Sequence, residues 1–91
     1  MKDKIKQYIT EAVNSLGVKG DFDIALEHPE NMEHGDYSSN IAMVLAKKEK
    51  KNPLELAKSI TESIGETEGI EKVEAVAPGF INFTLSKEFL S

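Results

Sequence analysis

The residues of this chain that could do chemistry gather in three places. The first is the acidic, histidine-bearing stretch from Glu27 to Asp36, where His28 and His34 accompany Glu27, Glu30, Glu33 and Asp36. Imidazole and carboxylate groups at these spacings could ligate a divalent cation, but a metal site needs ligands fixed by a second element. None is apparent, so solvated loop residues are the better account. The second place is Ser38-Ser39, where a hydroxyl nucleophile would need a histidine base that no motif supplies. Helix capping explains both serines. The third is the run Lys47-Lys48-Glu49-Lys50-Lys51, which could meet phosphates, although cations at the end of a helix are also favoured by its macrodipole. Neither a Gly-x-Gly-x-x-Gly nor a phosphate-cradling P-loop pattern occurs.

Composition narrows the classes further. The 91 residues carry sixteen carboxylates against eleven lysines and no arginine, for a net charge of −5. A protein that holds nucleic acid mainly by neutralising phosphates would carry the opposite balance. Any RNA contact must then be local and led by shape. Without cysteine there is no disulfide framework or thiolate zinc site, and a cytoplasmic location is expected. No apolar run approaches the ~18 residues of a membrane span, so no membrane partner is expected. A chain of this length and 40% hydrophobic content can bury one modest core, covering roughly 60–65% of the unfolded surface.

The elements that must position these groups follow from periodicity. Ile5, Tyr8, Ile9, Ala12, Val13 and Leu16 recur at helical spacing over residues 2–16, and Gly17 is a natural stop. Phe22, Ile24 and Leu26 alternate with Asp23, Ala25 and Glu27, predicting a short strand closed by Pro29. A second helix is expected from Asp36, whose carboxylate would accept from first-turn amides, with Ile41, Val44, Leu45 and Lys48 along one side. Small Ala42 and Ala46 permit close packing. Asn52-Pro53-Leu54-Glu55 is a helix start with Asn as N-cap, Pro at the first position and Glu at the third. Leu56, Ala57, Ile60 and Ile64 form the stripe that this third helix buries before Gly65.

Two strands should close the domain, 73–77 and 80–85, joined at Pro78-Gly79. A tight turn centred on those two residues sets Val76 opposite Ile81 and Glu74 opposite Phe83. Ile81, Phe83 and Leu85 are then the core face, while Phe80, Asn82, Thr84, Val73, Ala75 and Ala77 look outward. That register puts Glu74 on the core side, and a Pro-Gly turn suits a two-residue hairpin poorly; a bulge or a wider loop would relieve both. Ser86 is the expected cap of a further helix. The predicted fold is α+β: a two-layer domain with a small, mainly antiparallel sheet of three or four strands packed on helices.

Three segments in order carry a family resemblance. They are His34-Gly35-Asp36-Tyr37-Ser38-Ser39-Asn40 with Ala42-Met43 and Leu45-Ala46-Lys47; Asn52-Pro53 with Glu55 and Ala57; and Ala77-Pro78-Gly79-Phe80-Ile81-Asn82-Phe83 with Leu85-Ser86. Together they resemble the N-terminal additional domain of arginyl-tRNA synthetases, class I aminoacyl-tRNA synthetases. The resemblance implies a single tRNA-binding domain over residues 1–86, with residues 87–91 starting a helix that leads into a catalytic domain outside this sequence. The parent would be an ATP-dependent ligase joining arginine to its tRNA, using ATP with Mg. This fragment itself would hold no cofactor and no catalytic residue, since His34-Gly35-Asp36 is not the HIGH-type nucleotide motif.

The resemblance also implies a partner and a site. The domain would lie against the tRNA elbow and touch the D-loop, with an aromatic ring meeting an unstacked base and an amide two residues on reading its edge. Here those positions are Phe80 and Asn82, beside Gly79 in the turn. Both fall on the outward face of their strand, where the core does not require an aromatic ring, and an amide offers donors and acceptors to a base. Some members carry an amide where this chain has Ala77, which removes one contact. Lys47, Lys48 and Lys51 are carried over as candidate phosphate contacts, and His34, Gly35 and Asp36 as shaping the entry to the second helix. The rival reading from another class is an acidic protein-interaction module of a larger protein, for which the net charge and the apolar end at Phe89 and Leu90 speak.

Overall fold

In the computed structural model, residues 2–18, 23–29 and 35–86 are described, and they form helices on one side of a three-stranded antiparallel sheet. The order is α1 (Lys2–Ser15), β1 (Tyr37–Ser39), α2 (Ile41–Glu49), α3 (Pro53–Ile64), β2 (Ile70–Val76) and β3 (Phe80–Leu85). The expected α+β two-layer architecture is thus the observed one. In the sheet β3 is central, between β1 and β2.

Helices α1 and α3 follow their sequence patterns closely. Ile5, Ile9, Ala12 and Val13 of α1 are buried, with Leu16 left 38% exposed at its end. Gly17, at φ +86°, turns the chain where a side chain would be strained. The stripe Leu56, Ala57, Ile60 and Ile64 of α3 is buried as its spacing predicts. Asn52 Oδ1 accepts from the backbone N–H groups of Leu54 and Glu55 at 3.0 and 3.1 Å, so the cap satisfies two otherwise orphan donors.

The segment before α2 differs from expectation. The helix begins at Ile41, not near Asp36, because Asp36 to Ser39 are drawn into the sheet. Asp36 donates its N–H to the Phe83 carbonyl at 2.7 Å, and its Oδ2 accepts from the Leu85 N–H at 2.8 Å. The carboxylate expected to cap a helix therefore ties the start of β1 to β3. Ser39 supplies the first-turn acceptor instead, its Oγ taking the Ile41 N–H at 3.2 Å. Gly35, at φ +85°, permits the approach: a Cβ there would stand 2.6 Å from the Phe83 carbonyl oxygen. Gly35 and Asp36 thus shape the entry to a strand rather than to a helix.

Of the strand expected over 22–26, the described residues 23–26 form no ladder, and a single bridge follows at Glu27. Glu27 and Ser38 exchange backbone hydrogen bonds at 2.9 and 2.8 Å, while Leu26 is buried and Ile24 packs at the core margin. The alternation thus marks which side chains turn inward, but a three-residue β1 offers little ladder to pair with. Phe22 lies outside the described residues, as do Glu30, Glu33, His34 and the expected helix start at 87–91. Ser86, the last described residue, donates its N–H to the Gly69 carbonyl.

Helix α2 packs against both α3 and β3, so its buried face is wider and rotated relative to the stripe read from the sequence. Ile41, Ala42, Leu45 and Ala46 are buried, and Val44 is 49% exposed. The two alanines let the backbones approach. Lys50 ends the helix in the left-handed region at φ +56°, with the Lys51 N–H donating to the Ala46 carbonyl at 2.9 Å.

The β2–β3 register is shifted by one residue from the tight-turn expectation. Val76 faces Phe80, Ala75 faces Ile81, Glu74 faces Asn82 and Val73 faces Phe83. Three residues, Ala77 to Gly79, make the connection, with a cis Ala77–Pro78 peptide. A one-residue slip exchanges the faces of the whole strand. Val73 and Ala75 accordingly join Ile81, Phe83 and Leu85 against the helices, and Glu74 moves outward. Packing Val73 and Ala75 inside while leaving a carboxylate in water is the lower free-energy arrangement.

Candidate nucleic-acid interface

The outer face of the sheet is assembled by this register. Phe80, Asn82 and Thr84 alternate outward along β3, as the alternation of the strand predicts. Across the strands, Glu27 bridges to Ser38, Ser38 pairs with Asn82, and Asn82 pairs with Glu74. Four polar residues thus stand in one row perpendicular to the strands. Ser38 Oγ donates to Asn82 Oδ1 at 2.8 Å, and Asn82 is only 6% exposed despite facing away from the helices. Glu74 is held beside Lys72 at 3.5 Å, a solvent-exposed pair of small energetic weight.

Phe80 closes one side of a groove of about 300 Å³ on this face, together with Asn82, Ser38, Val76, Ala77, Glu27 and Pro29. The ring is half-buried and offers an apolar wall, the Asn82 amide a polar floor, and Glu27 an acidic edge. A planar ring fits such a wall by stacking, and an amide beside it can read the ring's edge. Of the groove residues, Phe80 and Asn82 are the two that the family resemblance marks as base contacts. Sequence reading missed Ser38, Glu27, Val76 and Pro29 as lining residues. No sequence signal marks Ser38 as a strand residue, because Tyr37-Ser38-Ser39 lacks an apolar alternation and stands in what reads as a helix start.

The other candidate residues lie elsewhere. Gly79 is buried, and a Cβ on it would fall 2.7 Å from Met43 Cγ and 2.8 Å from Pro53 Cβ. The hairpin tip is therefore seated on the α2–α3 junction through a residue that only glycine allows. Lys47 and Lys48 are exposed in the last turn of α2. Lys51 lines a separate cleft with Leu16, Asn52, Glu55, Leu56 and Ser59 between the end of α1 and the start of α3. The lysines that stand together in sequence are thus not gathered around Phe80 and Asn82.

Among the described residues no group of three or more acidic or histidine side chains could hold a metal ion. His28 instead packs its ring 4.4 Å from that of Tyr37, and its Nδ1 donates to the Asp36 carbonyl at 3.1 Å. No described helix is long and apolar enough to cross a membrane.

The described residues thus form an α+β domain of three helices and a β1-β3-β2 sheet, with an aromatic-walled groove on the face away from the helices. The family described as the arginyl-tRNA synthetase N-terminal domain matches residues 3–85, and the chain belongs to that family. It is 44% identical over 85 residues to the arginine–tRNA ligase of Mycoplasmoides gallisepticum and 36% identical over 96 residues to that of Idiomarina loihiensis. These alignments cover 93% and 99% of this chain but only 15% and 17% of the two relatives. The crystal structure of arginyl-tRNA synthetase from Plasmodium falciparum superposes with a TM-score of 0.83 at 25% identity, over 97% of this chain and 16% of that one.

Proposed function

We propose that this domain binds tRNA at its elbow, receiving an unstacked D-loop base in the groove between Phe80 and Asn82. In this reading it orients the tRNA for ATP-dependent arginylation by a catalytic domain outside this sequence, in the cytoplasm. The observation that carries it is the placement of Phe80, a half-buried ring on the face of the sheet that the helices leave uncovered, with the Asn82 amide two residues along the same face. A ring placed there costs apolar exposure that the core does not recover, which an aromatic–base stack of about 1–3 kcal/mol would recover on binding. The family membership supports the choice of tRNA over other planar ligands.

The chain's own part is to bind and orient. ATP and Mg chemistry would belong to the catalytic domain, and among the described residues that line the groove the charged side chain is the carboxylate of Glu27, which does not attract phosphate. Gly79 contributes by seating the hairpin tip on Met43 and Pro53, which holds Phe80 at the groove edge. Lys47, Lys48 and Lys51 would act as peripheral phosphate contacts, because they stand outside the groove.

Titrating the ¹⁵N-labelled chain with transcribed arginine tRNA tests this directly. Shifts concentrated at Phe80, Asn82, Ser38 and Val76, and lost in Phe80→Ala, are the expected result. Shifts confined to the lysines would make the contact a non-specific electrostatic one. No shifts with tRNA, together with tight binding of a protein partner that persists at high salt, would favour the acidic interaction module instead.

A further inference from the structure

We propose that a small hollow beside Phe80 is a ribose subsite, in which Asn40 and Glu27 take the 2′-hydroxyl of the nucleotide whose base enters the groove, so that the domain tells RNA from DNA there. The inference rests on the reading of the groove as a base site and extends it to the sugar. Phe80 borders two depressions. Besides the groove of about 300 Å³, a hollow of about 40 Å³ lies against it, lined also by Ala25, Glu27, Ser38 and Asn40. Glu27, Ser38 and Phe80 belong to both, so the two meet along that side. A nucleotide that lays its base in the larger can bring its sugar to the rim of the smaller.

Asn40 is the residue whose side chain the fold does not use. It stands at the N-cap of α2, where an asparagine ordinarily accepts from first-turn amides, yet its side chain makes no capping hydrogen bond. Ser39 Oγ takes the Ile41 N–H instead, and Asn40 contributes its backbone carbonyl, which accepts from the N–H groups of Met43 and Val44 at 3.0 and 3.2 Å. Its φ of −99° and ψ of 17° lie outside the extended conformation typical of a capping residue. The exposed amide is left to the hollow.

Size and chemistry select the occupant. A volume of about 40 Å³ exceeds the roughly 10–15 Å³ that one water needs, but it is a small fraction of the groove that would hold a base. It suits a group the size of a hydroxyl. The Glu27 carboxylate accepts and opposes phosphate, while the Asn40 amide both donates and accepts. An amino group would leave the Asn40 N–H donors unmatched. A hydroxyl gives its proton to Glu27 and accepts from Asn40 Nδ2, and the 2′-hydroxyl is the one that RNA carries and DNA lacks.

Titrating the ¹⁵N-labelled chain with arginine tRNA joined from synthetic pieces, its D-loop riboses replaced one at a time by 2′-deoxyribose, tests the subsite. At one loop position the replacement should weaken binding about three- to tenfold, as for one lost hydrogen bond. At that position the ratio of ribose to deoxyribose affinity should fall to about one in Asn40→Ala or Glu27→Ala. Comparing ratios removes whatever either variant does to charge or to overall affinity. Asn40→Ala should leave the thermal midpoint nearly unchanged, since no cap bond is lost. A ratio that persists in both variants overturns the subsite. So does the absence of any sensitive position while Phe80→Ala weakens binding, and the base site then stands without it. If neither Phe80→Ala nor any deoxyribose replacement alters binding, the base-site reading falls and this inference falls with it.

Discussion

Phe80 and Phe83 stand three residues apart on β3 and therefore on opposite faces of the sheet. Phe83 is fully buried among the helices, whereas Phe80 walls the outer groove. Phe83→Ala should cost about 3–5 kcal/mol of stability, while Phe80→Ala should leave thermal unfolding nearly unchanged and weaken tRNA binding by about 1–3 kcal/mol. Melting curves and titrations of both variants check this. Equal destabilisation with unaltered binding would make Phe80 a packing residue. Gly79 gives a third outcome at the same strand end. Its replacement by Ala drives a methyl against Met43 and Pro53, so Gly79→Ala should destabilise by about 1–3 kcal/mol through overpacking, read from denaturant midpoints. The alternation of β3 made the inward set Ile81, Phe83 and Leu85 legible beforehand. The buried contact of Gly79 was not, because a glycine carries no side-chain signal of what lies against it.

At the level of elements, local chemistry predicted most where the residues act on their own backbone. Asn52 caps α3 just as its place before Pro53 requires, and Asn52→Ala should cost about 1 kcal/mol by thermal denaturation. Helix α2 ends less comfortably, on Lys50 in the left-handed region. Lys50→Gly should relieve that strain and raise stability by up to about 1 kcal/mol, less the entropy that glycine gains in the unfolded chain. A lower midpoint than the parent chain would refute it. Where an element depended on a distant partner, the sequence misled. Asp36 has the chemistry of a helix cap, but its carboxylate meets the Leu85 N–H across the sheet. The hairpin register likewise depended on whether two or three residues made the turn, and burial of Val73 and Ala75 decided it.

For the whole molecule, the net charge of −5 bears on the proposed contact with tRNA. Few phosphates can be neutralised at a groove edged by Glu27, so binding of the 91-residue chain to tRNA should be weak, with Kd of roughly 10⁻⁴ M or poorer at physiological salt. Its salt dependence should be shallow, and Glu27→Gln should tighten binding a few-fold at low ionic strength. A sub-micromolar Kd at 150 mM salt, or a steep loss between 50 and 200 mM, would show that the lysines carry the contact instead. The same chain should show no ATP–pyrophosphate exchange, since it presents no phosphate-cradling loop.

What the sequence determined by itself was whatever depends on near neighbours along the chain: the inward stripes of α1 and α3, the cap at Asn52, the outward placement of Phe80 and Asn82, and the order of motifs that marks the family. These follow from the 3.6- and 2-residue periods and from side chains bonding their own backbone. Tertiary structure decided what depends on pairs remote in sequence. It pulled Asp36 to Ser39 out of a helix and into β1, set Ser38 against Asn82, seated Gly79 on the α2–α3 junction, and left the lysine run away from the groove. Each of these is a choice between locally similar conformations made by burial and by backbone donors seeking distant acceptors, and neither is written in any single stretch of the chain.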